Sequence, residues 1–246
     1  MRQYLKLPRL YVPDDLMVGA SIELSQSQAH YLGAVMRLKS GAQIRVFNGE
    51  SCEYLAEITE IAKRRATITI VEQLRPAKSA PDIWLLFAPI KKHRNSFIIE
   101  KATELGAALI QPVITARTIS KIRPKTGMDK MEAQIIEAAE QTERLDLPQL
   151  GEPLKLDALL KDWDEARTLI FADEAGDALP AATALAKIKA PAAILIGPEG
   201  GFTPEERETL RAKPYCAPIN LGPRILRADT AAAATLALWQ AVSGDW

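Results

Sequence analysis

The chain has 246 residues, 48% of them hydrophobic and 25% charged, a balance that suits one large folded domain or two modest ones. Its 31 basic and 31 acidic side chains cancel, which argues against a generic polyanion binder, and two distant cysteines, Cys52 and Cys216, suit reduced thiols better than a disulfide framework or a CxxC zinc site. No apolar run is long enough for a signal peptide or a membrane span, so a cytoplasmic protein with no membrane partner is expected.

From Arg9 to about Pro76 the sequence reads as β-rich. Strands are predicted at Gln43–Phe47, Tyr54–Ile61 and Ala66–Val71, with the turn Asn48-Gly49 between the first two. One short helix is predicted over Ser27 to Met36, capped by Ser25 or Ser27. Short strands at close spacing imply a small barrel. The stretch Arg75-Pro76-Ala77-Lys78-Ser79-Ala80-Pro81 breaks all periodicity and marks a domain boundary, giving domains over 1–76 and 81–246. The first is mildly basic, with 11 basic against 8 acidic residues up to Lys78, whereas the chain from Gly151 carries 10 against 14. That asymmetry suits a protein that presents its front end to RNA, with statistical scatter as the alternative.

Strands and helices alternate after the boundary. Strands are predicted at Ile83–Ala88, Leu109–Ile114, Thr168–Ala172, Ala192–Ile196 and Ala217–Leu221. Helices are predicted at Arg94–Leu105, stopped by Gly106, at Met128–Arg144, at Pro204–Ala212 and at Thr230–Val242. Thr203, Pro204 and Glu206 form a capping box with proline at the first helical position. This alternation defines an α/β domain with a mostly parallel sheet.

Three segments carry candidate chemistry. In Ile196-Gly197-Pro198-Glu199-Gly200-Gly201 a buried strand runs into a glycine loop and then a capped helix, so the backbone can approach a ligand beyond the carboxyl end of the sheet. The second segment, Leu221-Gly222-Pro223-Arg224-Ile225-Leu226-Arg227, is a second irregular loop whose Ile225 and Leu226 offer an apolar wall for a flat ring. Asp229 or Thr230 then caps the closing helix, and Arg227 either serves the ligand or pairs with a surface carboxylate. In Glu140-Gln141-Thr142-Glu143-Arg144 the spacing of Gln141 and Arg144 places both on one helix face, facing a substrate base or simply favouring the helix dipole. GxGxxG, P-loop, HExxH and GxSxG patterns are absent, His30 and His93 are too few for a histidine metal site, and neither cysteine has a partner that would make it a nucleophile.

Taken together the segments resemble the SPOUT-superfamily enzymes that methylate N3 of a uridine in 16S ribosomal RNA. The likeness runs over nearly the whole chain: Pro8-Arg9-Leu10-Tyr11; His30-Tyr31-Leu32 with Val35-Met36-Arg37, Gly41 and Phe47-Asn48-Gly49; Lys91 and Arg94 with Lys101-Ala102-Thr103-Glu104-Leu105-Gly106; Glu140-Gln141 with Arg144 and Pro148; and the two loops. Asp229 stands where the family usually has glutamate, and His93 and Ser96 where acidic residues are common.

The resemblance implies a trefoil-knotted parallel-sheet methyltransferase domain preceded by a small PUA-like β-barrel, acting as a homodimer on the small ribosomal subunit with S-adenosylmethionine and no metal. It places the cofactor on Ile196, Gly197, Pro198, Glu199, Gly200, Gly201, Leu221, Gly222, Ile225, Leu226 and Arg227, with Glu174 as a further contact. Arg144 becomes the donor to the base with Gln141 orienting it, Glu140, Glu199 or Asp229 the proton acceptor, and Arg9 and Arg37 phosphate contacts. The alternatives are a SPOUT ribose 2′-O methyltransferase and a non-catalytic RNA-binding assembly factor.

Overall fold

A computed structural model describes residues 4–50, 52–173 and 177–246, and the chain divides into two compact units, Met1–Ser79 with Ala139–Leu147 and Ala80–Ala138 with Pro148–Trp246. The first unit's leading segment ends at Ser79, within the stretch Arg75–Pro81. The segment Ala139–Leu147, expected in the second domain, belongs instead to the first unit.

In the first unit, β1 (Arg9–Tyr11), β2 (Ser21–Leu24), β3 (Gln43–Phe47), β4 (Glu53–Ile61) and β5 (Ala66–Arg75) form one sheet in the order β1-β3-β4-β5-β2. β1 runs parallel to β3, and the other pairs are antiparallel. Alternation sends Leu10, Val12, Ile22, Leu24, Ile44, Val46, Ala56, Ile58, Ile68 and Ile70 into one core. No ladder joins β1 to β2 among the described residues, so in place of a closed ring of hydrogen bonds the five strands share one side-chain core. Ser25 caps α1 (Gln26–His30) in a capping box with Gln28, and the helix widens into a π-turn over Tyr31–Val35.

The residues of opposite parity, Arg9, Arg45, Phe47 and Glu53, are also buried, because Ala139–Leu147 lies over them: Phe47, Ala139 and Leu145 form a second cluster. Arg9 and Arg45 sit side by side in register, an arrangement that repels unless anions separate the charges. Glu53, only 1% exposed, provides one, at 2.6 Å from Arg9 Nε and 2.7 Å from Arg75 Nε. Glu143 provides the other, accepting from Arg45 at 2.6 and 2.7 Å and from Arg75 at 3.0 Å.

The second unit contains β6 (Ile83–Phe87), α2 (Lys92–Glu104), β7 (Leu109–Ile114), α3 (Thr126–Gln141, whose last turn belongs to the first unit), β8 (Gln149–Leu150), β9 (Leu154–Lys155), α4 (Leu156–Lys161), β10 (Thr168–Ala172), β11 (Leu179–Pro180), α5 (Ala181–Leu185), β12 (Ala192–Ile196), α6 (Pro204–Arg211), β13 (Cys216–Asn220) and α7 (Ala228–Ser243). The strands pair in the order β11-β13-β10-β12-β6-β7-β8, with β9 also on β7, and every pair is parallel. Helices cover both faces, α5 and α7 on one and α4 and α6 on the other, which is why β12 is buried at all five positions. Helix α6 carries the expected capping box of Thr203 and Glu206.

Two differences from the expected helices bear on the candidate site. Helix α3 stops at Gln141 rather than Arg144, because Glu143 takes a left-handed φ of 62° while its carboxylate is held by Arg45. Helix α7 starts at Ala228 with Arg227 at the N-cap and no side-chain cap bond, so neither Asp229 nor Thr230 is the cap.

Candidate functional site

Because β13, β10 and β12 are adjacent and parallel, the loops that leave their carboxyl ends share one edge of the sheet, where ligands of open α/β folds bind. The loop after β12 folds on its own glycines. A Cβ on Gly197 would lie 2.7 Å from the ring of Phe202, which is buried edge-on against Phe171. Gly201 has φ +65° and donates to the Pro198 carbonyl at 2.9 Å. A Cβ on Gly200 would touch the Arg117 side chain at 3.6 Å, an ordinary contact distance, so a methyl group there would not clash with the protein. Glu199 and Gly200 are exposed, while Ile196, Pro198 and Gly201 are buried.

The loop after β13 turns at Gly222, φ +104°, whose N–H donates to Asn220 Oδ1 at 2.7 Å. Ile225 then stands 85% exposed, Leu221 and Leu226 are half-buried, and Arg227 is exposed. Arg227 makes no side-chain ion pair among the described residues, unlike Asp229, which meets Arg94 at 3.3 Å. An uncovered aliphatic side chain beside an irregular glycine turn suits a nucleoside-sized ligand better than it suits bulk water.

Glu174 lies outside the described residues. The end of β10 that leads to it is pinned, since buried Asp173 accepts from Arg207 at 3.0 Å and from Arg211 at 2.7 Å.

The other predicted residues lie in the first unit. Gln141 and Arg144 do not share a helix face, because Arg144 follows the left-handed turn at Glu143; Gln141 is exposed at the helix end. The Arg144 guanidinium is held flat against Asp146, with Nε at 2.9 Å from Oδ1 and Nη2 at 3.2 Å from Oδ2. Glu140 accepts the Tyr11 N–H at 2.8 Å.

Arg9 is not a phosphate contact. It is 7% exposed, bonds Glu53 and the carbonyls of Ala139 and Arg144, and stacks 3.7 Å over Phe47. Burial lowers its pKa, opposed by the Glu53 bond, and an arginine in that setting stays charged. Arg37, in contrast, is exposed with φ 56°.

One feature escaped the sequence reading. The loop from Thr115 to Lys125, between β7 and α3, starts with a turn in which Thr115 N–H donates to Thr118 Oγ1 at 2.9 Å, and Arg117 Nη1 donates to the Gly200 carbonyl at 2.8 Å. The signal available was a run of cations without a carboxylate, with Lys121, Arg123 and Lys125 at alternate positions.

Residues 77–240 match the RNA methyltransferase domain family, and residues 24–71 match the RNA methyltransferase PUA domain. The two units therefore define an RNA methyltransferase with an N-terminal PUA-like unit, the fold class expected from the sequence. The Ribosomal RNA small subunit methyltransferase E of Rickettsia conorii is 32% identical, over 95% of this chain and 95% of that protein. A methyltransferase from Legionella pneumophila, solved with bound SAM, superposes with TM-score 0.88 at 32% identity over 98% of this chain and 100% of that one. The Ribosomal RNA small subunit methyltransferase E of Neisseria gonorrhoeae, solved with S-adenosyl methionine, has TM-score 0.86 at 27% identity, covering 98% and 99%. The chain belongs to the ribosomal RNA small subunit methyltransferase E family.

Proposed function

We propose that this chain transfers a methyl group from S-adenosylmethionine to N3 of a uridine in 16S ribosomal RNA, acting in the cytoplasm as a homodimer with the knotted threading of SPOUT enzymes. The observation that carries the reading is the pair of loops after β12 and β13, one on each side of β10, with open space at Gly222 and an uncovered Ile225.

Those residues fit the cofactor. Ile196 to Gly201 and Leu221 to Arg227 would hold it mainly through backbone groups, with Ile225 and Leu226 against its flat ring. When bound, it supplies an electrophilic methyl group carried on a sulfonium. The chain's own work is on the uracil. Loss of the N3 proton spreads negative charge over two carbonyl oxygens, and a guanidinium facing one of them is worth about 3 kcal/mol. The reading gives that role to Arg144. Asp229 is engaged by Arg94 and Glu140 by the Tyr11 amide, so exposed Glu199 is assigned the proton.

Arg37 remains a phosphate contact in this reading. Exposed Lys39 and the exposed turn Lys63, Arg64 and Arg65 support it, because Ser40 Oγ bonds the Thr59 carbonyl at 2.7 Å and so ties the Arg37 segment to the strand that leads into that turn.

The test is thermal melting with S-adenosylmethionine, followed by transfer of labelled methyl to small-subunit RNA. A rise in melting temperature and labelled RNA are expected. No shift and no label would favour a non-catalytic binding factor.

A further inference from the structure

We infer that the loop Thr115–Lys125 is an RNA-gripping loop of the methyltransferase unit, docked to the glycine loop by Arg117 and holding phosphates with Lys121, Arg123 and Lys125. The inference rests on the proposed RNA substrate and extends it to residues in the second unit.

Four observations carry it. Residues 115–128 contain Arg117, Lys121, Arg123 and Lys125 and no Asp or Glu; the next carboxylate is Asp129, in the first turn of α3. In a chain of zero net charge, an 14-residue run of that kind is a local field rather than a reflection of composition. Lys121, Arg123 and Lys125 are all exposed, and none forms an ion pair among the described residues. The loop is nevertheless ordered at both ends. Its start is fixed by the Thr115–Thr118 turn, and its end by N–H bonds from Gly127 to the Arg123 carbonyl at 2.9 Å and from Asp129 to the Lys125 carbonyl at 2.7 Å.

The location is the fourth observation. β7 lies beside β6 and is parallel to it, so this loop leaves the same carboxyl edge as the loop after β12. Arg117 makes the link direct, donating to the carbonyls of Gly200 at 2.8 Å and Phe202 at 3.4 Å, and the Ala116 N–H bonds Glu206 Oε1 at 2.8 Å. Ile119 projects from the loop 92% exposed, an apolar surface next to the cations that suits a sugar or base face. A second protein copy is the poorer occupant: three unpaired cations placed together favour a polyanion, whose counterion release supplies the binding free energy.

The experiment compares the wild-type protein with the variant Lys121→Ser, Arg123→Ser, Lys125→Ser, measuring binding to isolated small-subunit ribosomal RNA across a salt series. The log–log salt slope should fall by about 2 to 3, at roughly 0.7 to 0.9 per lost contact, with affinity down about tenfold or more at physiological salt. Melting temperature and S-adenosylmethionine affinity should not change. The charge-preserving variant Lys121→Arg, Arg123→Lys, Lys125→Arg should bind as the wild type does. Unchanged RNA affinity and slope in the serine variant would overturn the inference while leaving the proposed function standing. A change in oligomeric state without a change in the slope would overturn it in favour of a second copy. Failure of the wild-type protein to bind RNA would overturn the proposed function itself.

Discussion

Arg9 donates from Nη2 to the carbonyl oxygen of Arg144 at 2.5 Å, tying the first strand of the chain to a residue 135 positions later. The same guanidinium holds Ala139 and Glu53, so one buried side chain fixes both ends of the segment that carries the candidate base donor. Replacing Arg9 by alanine leaves Glu53 buried with one cation fewer and strips two carbonyls of their donors. A loss of about 3 to 5 kcal/mol is expected, read from urea unfolding, as for other buried pairs broken on one side. Unchanged stability with weakened RNA binding would return Arg9 to the phosphate role first expected of it.

Glu143 gives the segment a pH signature. Burial alone would raise its pKa, but the Arg45 bond and the charges of Arg45, Arg75 and Arg9 outweigh that and hold it below the ordinary glutamate value. A folded-state pKa below the unfolded one contributes stability at pH values above the unfolded value, and that contribution disappears as pH falls through the folded value. Unfolding midpoints should therefore separate wild type from Glu143→Gln at neutral pH and converge in acid, once the pH has fallen below the lowered folded-state value. A gap that widened on acidification would contradict the pairing.

The two ends of the glycine loop should respond differently to a side chain. Gly200→Val meets only Arg117 at ordinary contact distance, so melting temperature should hold while calorimetry shows cofactor binding lost. In Gly197→Ala the new methyl group sits against the Phe202 ring, and a destabilisation of about 1 to 3 kcal/mol is expected. Normal cofactor affinity in Gly200→Val would refute the assignment of the loop.

Arg144→Ala should lower kcat by about two to three orders of magnitude, as expected for loss of one donor to developing charge. Cofactor affinity should stay at its wild-type value. Equal losses in kcat and in cofactor binding would remove Arg144 from the chemical step.

Burial, with Asp173 nearby, pushes the Cys216 thiol up to about 12. At pH 8 in the native protein, iodoacetamide should leave Cys216 unmodified, and mass spectrometry should find it alkylated only after denaturation. Rapid native labelling would show that the strand it lies on opens.

What was legible in the sequence was what local chemistry decides. Gln43–Phe47, Leu109–Ile114, Thr168–Ala172 and Ala192–Ile196 were read at their observed limits because β-branched and apolar runs ended at turn residues. Thr203 with Glu206 marked the start of α6 for the same reason. The end of α3 was not legible: no glycine or proline stops it, and the left-handed turn at Glu143 is secured by Arg45, 98 residues away. Arg9 was misread because an arginine in a basic front end looks like a phosphate contact until Glu53 and the Ala139–Arg144 carbonyls are brought to it by the fold. The two-residue strands β8, β9 and β11 exist only through their neighbours and have no sequence pattern of their own.

The central claim, methylation at N3 of a uridine, is tested most directly by incubating unmethylated small-subunit ribosomal RNA with the protein and S-adenosylmethionine, digesting it to nucleosides and locating the new methyl group by mass spectrometry. The account predicts 3-methyluridine at a single site. A methyl group on ribose, or none at all, would contradict it.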